Sequence, residues 1–244
     1  MSAHPDHQPP ELPEGTVTLL FSDIEGSTAL LKRLGDGWPH VLDRQRRLLR
    51  EAIAAGNGVV VDCQGDAMFA AFRSAPAGVA AAIAAQRGHA LEQWPDGTKV
   101  RVRMALHTGE PHRTSDGGYT GIDVVRAARL CAAGHGGQVL MTETTRGIAR
   151  AEAIELGSAS LPDMDGPEPV YQLVAPGLAK EFPPLRRTAA SPLETLEQGD
   201  QPPDKRIDRA AKDFERRVED FVADQLERAF RKVPPSGKRK GTDG

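Results

Sequence analysis

The stretch TVTLLFSDIEGSTALL, residues 16–31, decides the fold and marks the place where chemistry is expected. Its first half is an apolar, β-rich run that predicts a strand, and Asp23 lies at the end of that strand. Gly26, Ser27 and Thr28 follow and predict the start of a helix, whose first backbone N–H groups have no partner within the helix. Such a helix start can bind the phosphates of a ligand. The Asp23 carboxylate alone would repel them, so its position beside the helix start predicts a divalent cation between carboxylate and phosphates.

A second acid, Asp66, lies between two further β-rich runs, residues 58–63 and 67–72, which the tripeptide QGD joins as a tight turn. In a sheet that places these strands beside the first one, Asp23 and Asp66 can converge on one pair of metal ions. Taken singly, Asp23 also fits a helix N-cap and Asp66 an ordinary turn residue. A sheet that needed only stability would not place two like charges at one edge, so the pair favours a metal site.

The order of elements predicts an α+β fold. Up to residue 110 the pattern is β-α-β-β-α-β, with helices over residues 41–56 and 76–94 and a clear period-two strand over 99–110. That order defines a ferredoxin-like core with helices packed on one face of the sheet. An α-β extension follows, with a glycine-capped helix from residue 121, a strand, a short helix and a final strand that ends at 174.

Composition divides the chain into five parts. We expect a disordered leader over residues 1–14, a packed domain over 15–174, a Pro-rich linker over 175–203, an amphipathic helix over 204–233 and a basic disordered tail over 234–244. The amphipathic helix carries one apolar stripe that needs a partner. That partner can be its own domain, a second copy of the chain or another protein.

Charge and cysteine content exclude some function classes. Lys and Arg number 31 against 34 Asp and Glu, so the net charge of −3 gives no global attraction to nucleic acid or to an anionic membrane. No window approaches the roughly 18 uncharged apolar residues of a membrane helix. Cys63 and Cys131 lie far apart and form no CxxC pair, so neither a zinc site nor a disulfide framework is expected, and a reducing cytoplasm is the default location.

Four stretches, in order and with natural spacing, resemble the catalytic domain of the class III nucleotide cyclases, the adenylate and guanylate cyclase family. LLFSDIEGST (19–28) resembles the first metal site of that family, and GVVVDCQGDAMFAAF (58–72) the second. VRVRMALHTGE (100–110) resembles the central strand, and GGYTGIDVVRAARLCAAGHGGQVLMT (117–142) the substrate helix and the strand after it. EFPPLRR (181–187) resembles the segment that follows the domain in one bacterial branch.

The resemblance covers residues 15–174 and implies two-metal catalysis on a nucleoside triphosphate. Asp23, Asp66 and the carbonyl of Ile24 would hold two Mg²⁺ or Mn²⁺ ions. The metals would lower the pKa of the ribose 3′-hydroxyl, which attacks the α-phosphorus in line and expels pyrophosphate. With ATP as the expected substrate, the product would be cAMP, made for intracellular signalling.

The resemblance also implies a head-to-tail homodimer with two active sites at the interface. One protomer would cradle the triphosphate with Glu25, Gly26, Ser27 and Thr28. The other would supply Arg129, whose planar, bidentate guanidinium stabilises developing negative charge on the phosphates.

The sequence departs from the family where the nucleotide is selected. The family's base-selecting lysine is Asp62 here, and its second base-selecting residue, an Asp or Thr, is Gly118. The ribose-orienting Asn is Val125, which has no hydrogen-bonding group, and a phosphate-binding Lys aligns with Pro162. Since orientation accounts for several kcal/mol of a barrier, we expect low turnover or an unusual base preference.

Two alternatives stand beside the cyclase, and the departures support the first of them. The chain can be a catalytically impaired nucleotide-binding or interaction module that keeps the cyclase dimer. It can also be another two-metal enzyme on a related sheet, although QGDAMF lacks a GGDEF-type turn. His107 and Tyr119 lie near the expected cleft, and for both we favour a local structural role over a catalytic one.

Overall fold

The computed structural model describes residues 11–115 and 117–186. Most of the predicted leader, the linker beyond residue 186, the amphipathic helix over 204–233 and the basic tail lie outside the described residues. Within the described ranges, no helix combines the length and the apolar character needed to cross a membrane.

Nine strands and five α-helices make up this part of the chain. The strands are β1 (Val17–Ile24), β2 (Val59–Gln64), β3 (Ala67–Phe72), β4 (Val102–Gly109), β5 (His112–Arg113), β6 (Tyr119–Thr120), β7 (Val139–Thr142), β8 (Ala153–Ser160) and β9 (Pro167–Leu173). The helices are α1 (Ser27–Leu34), α2 (Trp38–Ala55), α3 (Ala75–Leu91), α4 (Ile122–Ala133) and α5 (Glu143–Ala149).

Seven strands form one mixed sheet in the order β2-β3-β1-β4-β7-β9-β8, and β5 pairs with β6 in a separate hairpin. The central strand β1 runs antiparallel to both β3 and β4, whereas β4 and β7 are parallel. This arrangement confirms the predicted βαββαβ core and its α-β extension. The edge strand β8 was not predicted, because its sequence AIELGSAS lacks apolar alternation and contains Gly157 inside the strand.

The two faces of the sheet carry different helices. Helices α2 and α3 bury Leu49, Ile53 and Ala82 against one face, together with Phe72 of β3 and Leu106 of β4. Helix α4 packs on the opposite face, where its apolar residues contact Leu19 and Phe21 of β1. The two core helices α2 and α3 therefore lie on one face, as predicted, whereas α4, which belongs to the α-β extension, covers the other face.

Both ends of the described chain pack against the domain. Leu12 is buried, and the carbonyl of Pro13 accepts a hydrogen bond from the Tyr119 hydroxyl. Beyond β9, the carbonyl of Pro176 accepts from the Arg87 guanidinium, and the Arg186 amide donates to Ala133 at 3.0 Å. The domain contacts therefore include residues 175–186, which belong to the first part of the predicted linker.

Candidate active site

Cross-strand register places the predicted site residues on one face of the sheet. Asp62 lies opposite Phe69, Phe69 opposite Phe21, and Asp23 opposite Arg103. Residues directly opposite in antiparallel strands share a face, and residues two apart in β1 share a face as well. Asp23 and Asp62 are thus on the same side of the sheet, the side that α4 covers.

Asp23 is paired with a residue that the sequence did not single out. The Arg103 guanidinium donates from Nη2 and Nε to Oδ2 of Asp23, at 2.8 and 3.2 Å. The two side chains are 3% and 0% exposed, and Nη1 of Arg103 donates to the carbonyl of Ala132 at the end of α4. Arg103 therefore supplies a buried positive charge to the first predicted metal ligand.

Asp66 lies in the turn between β2 and β3 and reaches across to β1. Its Oδ2 accepts a hydrogen bond from the backbone amide of Ile24 at 3.2 Å, and the side chain is almost fully buried. Gly65 makes the tight turn possible because its φ is +58°. The structure thus brings Asp23, Ile24 and Asp66 together at the end of β1.

The donor chemistry of these three residues fits a hard divalent cation. Two carboxylates and a backbone carbonyl are all oxygen ligands, the kind that Mg²⁺ and Mn²⁺ take. No cluster of three or more His, Cys, Asp and Glu side chains suited to a metal exists among the described residues.

The loop between β1 and α1 has the features of an anion cradle. Gly26 is the N-cap of α1 with a left-handed φ of +71°, and no side chain caps the helix. A Cβ built at Gly26 would meet no atom within 4 Å, so that side of the residue is open. Ser27 is buried and Thr28 follows it, and no acid lies in the first turn of α1.

Glu25, the first residue of this loop, lies among two arginines and a histidine. Its carboxylate pairs with Nη2 of Arg186 and with Nη2 of Arg101, the latter at 3.4 Å. The Nδ1 atom of His135 lies 4.0 Å from the same carboxylate. Burial lowers the pKa of Arg186, partly offset by the charge of Glu25. In this arrangement Glu25 is engaged by residues of the same chain.

The residues at the predicted base-reading and ribose positions make local contacts. Both oxygens of the Asp62 carboxylate are used within β2, by the amide of Cys63 at 2.7 Å and by the Gln64 side chain at 3.0 Å. Gly118 exchanges hydrogen bonds with Thr114 in the loop before β6. Val125 is buried in the apolar contact between α4 and the sheet.

An aromatic cluster lies beside the two predicted base-reading positions. The rings of Phe21 and Phe69 are stacked with centroids 4.4 Å apart, and Tyr119 meets Phe69 edge-on at 6.3 Å. Asp62 is opposite Phe69 on the neighbouring strand, and Gly118 precedes Tyr119. Burial raises the pKa of Tyr119 to about 12, so this hydroxyl stays protonated and donates to Pro13.

Arg129, the predicted phosphate-binding residue, is paired within its own chain. Its Nη2 atom donates to Oδ2 of Asp163 at 2.6 Å, and its buried Nε has no hydrogen-bond partner among the described residues. Asp163 follows Pro162 in an exposed turn and is itself 61% exposed. An acid therefore lies in the turn where a phosphate-binding lysine was expected.

His107 belongs to a polar cluster between β4 and α4. Its Nδ1 atom contacts Thr142 at 3.0 Å, and its Nε2 atom contacts Asp123 at 2.9 Å. The hydrogen bond from His107 lowers the pKa of Asp123, with further help from the amide of Glu110 and the charge of Arg126. His107 and Tyr119 thus both have the local partners that a structural role requires.

The two cysteines are free thiols with different surroundings. Cys131 on α4 is fully buried, and that burial raises its pKa to about 12. Cys63 on β2 is partly exposed.

Sequence relatives of this chain include cyclases and proteins of unassigned activity. No family model matches the sequence. An uncharacterized protein of Mycobacterium tuberculosis, Rv0891c, is 35% identical over 192 residues, which is 75% of this chain and 65% of that protein. A second one, Rv1359, is 32% identical over 71% of each chain. The adenylate cyclase of Mycosarcoma maydis is 31% identical over 54% of this chain and 6% of its own length.

Solved structures place the fold among cyclases. A Trypanosoma brucei adenylate cyclase described in its monomeric state matches with a TM-score of 0.65 and 28% identity, over 72% of this chain and 96% of its own. An adenylate/guanylate cyclase/hydrolase from Silicibacter pomeroyi matches with a TM-score of 0.58 and 25% identity, over 66% and 98%. The described domain therefore has the fold of class III adenylate/guanylate cyclase catalytic domains, and its sequence is similar to members of that family.

Proposed function

We propose that this protein is a nucleotide cyclase that converts a nucleoside triphosphate, with ATP as the proposed substrate, to a 3′,5′-cyclic nucleotide and pyrophosphate. The observation that carries the proposal is the meeting of Asp23, Ile24 and Asp66 beside the uncapped start of α1. Oxygen ligands and an anion cradle at one point are what a metal-bound triphosphate requires.

Two Mg²⁺ or Mn²⁺ ions are the proposed cofactors. Bound by Asp23, Asp66 and the Ile24 carbonyl, they would lower the pKa of the attacking hydroxyl and neutralise charge on the phosphates. The protein's own contribution is to hold the two carboxylates in a buried setting. Asp66 does so through the Ile24 amide, and Asp23 through Arg103.

Arg129 is the proposed stabiliser of the phosphates across a head-to-tail homodimer. Its partner Asp163 lies in an exposed turn and is 61% exposed, whereas Arg129 itself is 8% exposed. A triphosphate with several negative charges can therefore replace Asp163 as the partner of Arg129.

Base selection is the weakest part of the match to an ordinary adenylate cyclase. Asp62 can only accept hydrogen bonds when ionised, and both of its oxygens already accept from β2. Gly118 carries no side chain and Val125 no polar group. We therefore propose low turnover or an unusual base preference, with the aromatic cluster of Phe21, Phe69 and Tyr119 beside the base.

A second candidate function is a nucleotide-binding or interaction module that keeps the cyclase fold without turnover. The specific observation in its favour is that two key groups are already paired, Asp23 with Arg103 and Arg129 with Asp163. A cytoplasmic location and a protein partner for residues 204–233 remain predictions in either case.

The test is conversion of ATP, GTP, CTP and UTP by the purified full chain with Mn²⁺ or Mg²⁺. Asp66→Asn is the matched inactive control, because an amide oxygen can still accept from the Ile24 amide. Cyclic product from one nucleotide, lost in Asp66→Asn, would support the cyclase and identify its base. Nucleotide binding without product from any of the four would favour the second candidate.

A further inference from the structure

The last described residues run back across the domain to the β1–α1 loop. We refer to residues 182–186 as the C-terminal strap. The Arg186 amide donates to the carbonyl of Ala133 at the end of α4, at 3.0 Å. Nε2 of His135 lies 2.9 Å from the carbonyl of Pro184, and Leu185 packs against the apolar face that carries α4. The strap is therefore attached to the domain by backbone and side-chain contacts.

The Arg186 side chain extends from the strap to Glu25. Nη2 pairs with Oε1 of Glu25, and Nε donates to Nδ1 of His135 at 3.4 Å. The two charged side chains are only 19% and 18% exposed, so the pair is largely shielded from water. With a hydrogen on Nε2 and none on Nδ1, His135 donates to the Pro184 carbonyl and accepts from Arg186. This tautomer is assigned from the hydrogen-bond network.

Glu25 is well placed to control the loop, because it separates Ile24 from Gly26. Its amide donates to the carbonyl of Arg101 at 2.9 Å, and its carboxylate is held by Arg186. Gly26 has no side chain to anchor and adopts a left-handed conformation with open space around it. The carbonyl of Gly26 accepts from the amides of Ala29 and Leu30 in α1, so this glycine is held by the helix on one side and by Glu25 on the other.

We propose that Arg186 is a positioning residue for the triphosphate. Through Glu25, the strap would hold the amides of residues 26–28 in the geometry that bound phosphates need. This inference rests on the proposed function and names a residue, far from the motifs in sequence, on which that site depends. Preorganised donors bind without the cost of ordering the loop at the moment of binding.

A different role for Arg186 makes an opposite prediction. If Arg186 acted only as a positive charge that attracts phosphate, Glu25 would weaken binding by neutralising that charge. Glu25→Gln would then tighten phosphate binding. If Arg186 acts through Glu25, Glu25→Gln would loosen the loop and weaken binding, as Arg186→Ala does.

The experiment uses the full chain and two measurements. Hydrogen exchange of a peptide covering residues 24–30 reports on the loop without any ligand. Calorimetry with Mn²⁺ and inorganic tripolyphosphate reports on phosphate binding. The variants are Arg186→Ala, Arg186→Lys, Glu25→Gln and the Glu25→Gln/Arg186→Ala double variant. Arg87→Ala is the matched control, since Arg87 holds Pro176 in the same C-terminal segment without contacting the loop.

We expect Arg186→Ala and Glu25→Gln each to raise loop exchange and to weaken tripolyphosphate binding by about 10-fold. The double variant should be no weaker than either single variant, because both remove one contact. Arg186→Lys keeps the charge and should restore part of the binding. Arg87→Ala should leave the loop exchange and the binding unchanged.

Unchanged loop exchange in Arg186→Ala would overturn the proposal, and so would tighter binding in Glu25→Gln. Failure of the proposed function has a different signature. If the wild-type chain bound no tripolyphosphate and made no cyclic product, while Arg186→Ala still raised loop exchange, the strap would anchor the loop but its role toward phosphate would be refuted.

Discussion

Arg103 donates two hydrogen bonds to a single carboxylate oxygen of Asp23, and neither side chain is more than 3% exposed. The pair joins neighbouring strands β4 and β1 next to Ile24, whose amide donates to Asp66. A buried carboxylate without a cation is costly, so Arg103 supplies the positive charge while no metal is bound. Removal of either partner leaves a buried charge behind.

Substitution of Arg103 by Met should destabilise the metal-free protein by about 3–5 kcal/mol, because Asp23 loses its buried cationic partner. Mn²⁺ should then raise the free energy of unfolding more in Arg103→Met than in the wild type, since the ion replaces the missing charge. Urea unfolding with and without Mn²⁺ measures both effects. Arg44→Met, which removes an exposed pair with Glu92, is the control and should respond to Mn²⁺ as the wild type does. Equal responses in all three proteins would contradict a cation site at Asp23.

The two metal acids should respond differently to amide substitution. Asp66→Asn should stay within about 1 kcal/mol of wild-type stability, because its amide oxygen can keep the hydrogen bond from Ile24. Asp23→Asn should cost about 3–5 kcal/mol, because the Arg103 charge stays buried without its carboxylate. If the proposed cyclase function is right, both should lose at least about 100-fold in Mn²⁺-dependent turnover. Thermal unfolding beside the turnover assay separates the two effects, and an active Asp66→Asn protein would rule out its metal role.

Substitutions at the two partners of the Arg129–Asp163 pair should have opposite effects on activity. Asp163→Asn should cost about 1–3 kcal/mol, because Arg129 is 8% exposed and loses a charged partner, although the amide oxygen of Asn can still accept its hydrogen bond. It should also lower the KM for the nucleotide severalfold by releasing the Arg129 guanidinium. Arg129→Ala should lower kcat by roughly 10²–10³-fold, the usual cost of removing a donor to developing charge. Steady-state kinetics of the two variants checks this, and a loss of activity in Asp163→Asn would show that the acid itself is needed.

His89 makes stability depend on pH. The side chain is 4% exposed, its Nδ1 atom lies 2.6 Å from the Ala85 carbonyl, and burial lowers its pKa from the ordinary value of 6.5. The unfolded chain therefore binds the proton more readily than the folded one. The contribution of His89 to the free energy of unfolding should be fully present above pH 6.5. It should be lost as the pH drops from 6.5 toward the lower pKa that His89 has in the folded protein. Denaturant unfolding between about pH 5 and pH 8 measures this.

His89→Gln is the matched variant for that experiment. Gln cannot be protonated, so the fall in stability below pH 6.5 should shrink in this protein relative to the wild type. The Asp123 carboxyl, whose pKa is lowered from 3.8 chiefly by the hydrogen bond from His107, contributes only at more acidic pH. A pH profile identical in His89→Gln and the wild type would contradict the assignment.

Local sequence pattern was sufficient for the core strands and for the approach of Asp66 to β1. A strand end and a tight turn fix where such acids lie, so the contact of Asp66 with the end of β1 follows from the βαββαβ order. The pair of Arg103 with Asp23 was missed because period-two alternation in β4 marks charged residues as facing solvent. The bond between Glu25 and Arg186 joins residues 161 positions apart, which no local pattern encodes. The edge strand β8 was missed because its Gly and Ser residues lack strand propensity.

The unequal burial of the two cysteines gives the chain a built-in attachment point for a reporter. Cys131 is shielded and has a pKa near 12, so a maleimide dye should react with Cys63 alone in the folded protein. Cys63 follows Asp62, the predicted base-reading residue, and its amide donates to the Asp62 carboxylate. A dye on Cys63 would therefore lie next to that position. The fluorescence of this dye, on a protein without any substitution, can then be compared among the four nucleotides. A change with one of them would show which nucleotide binds, before any product is measured.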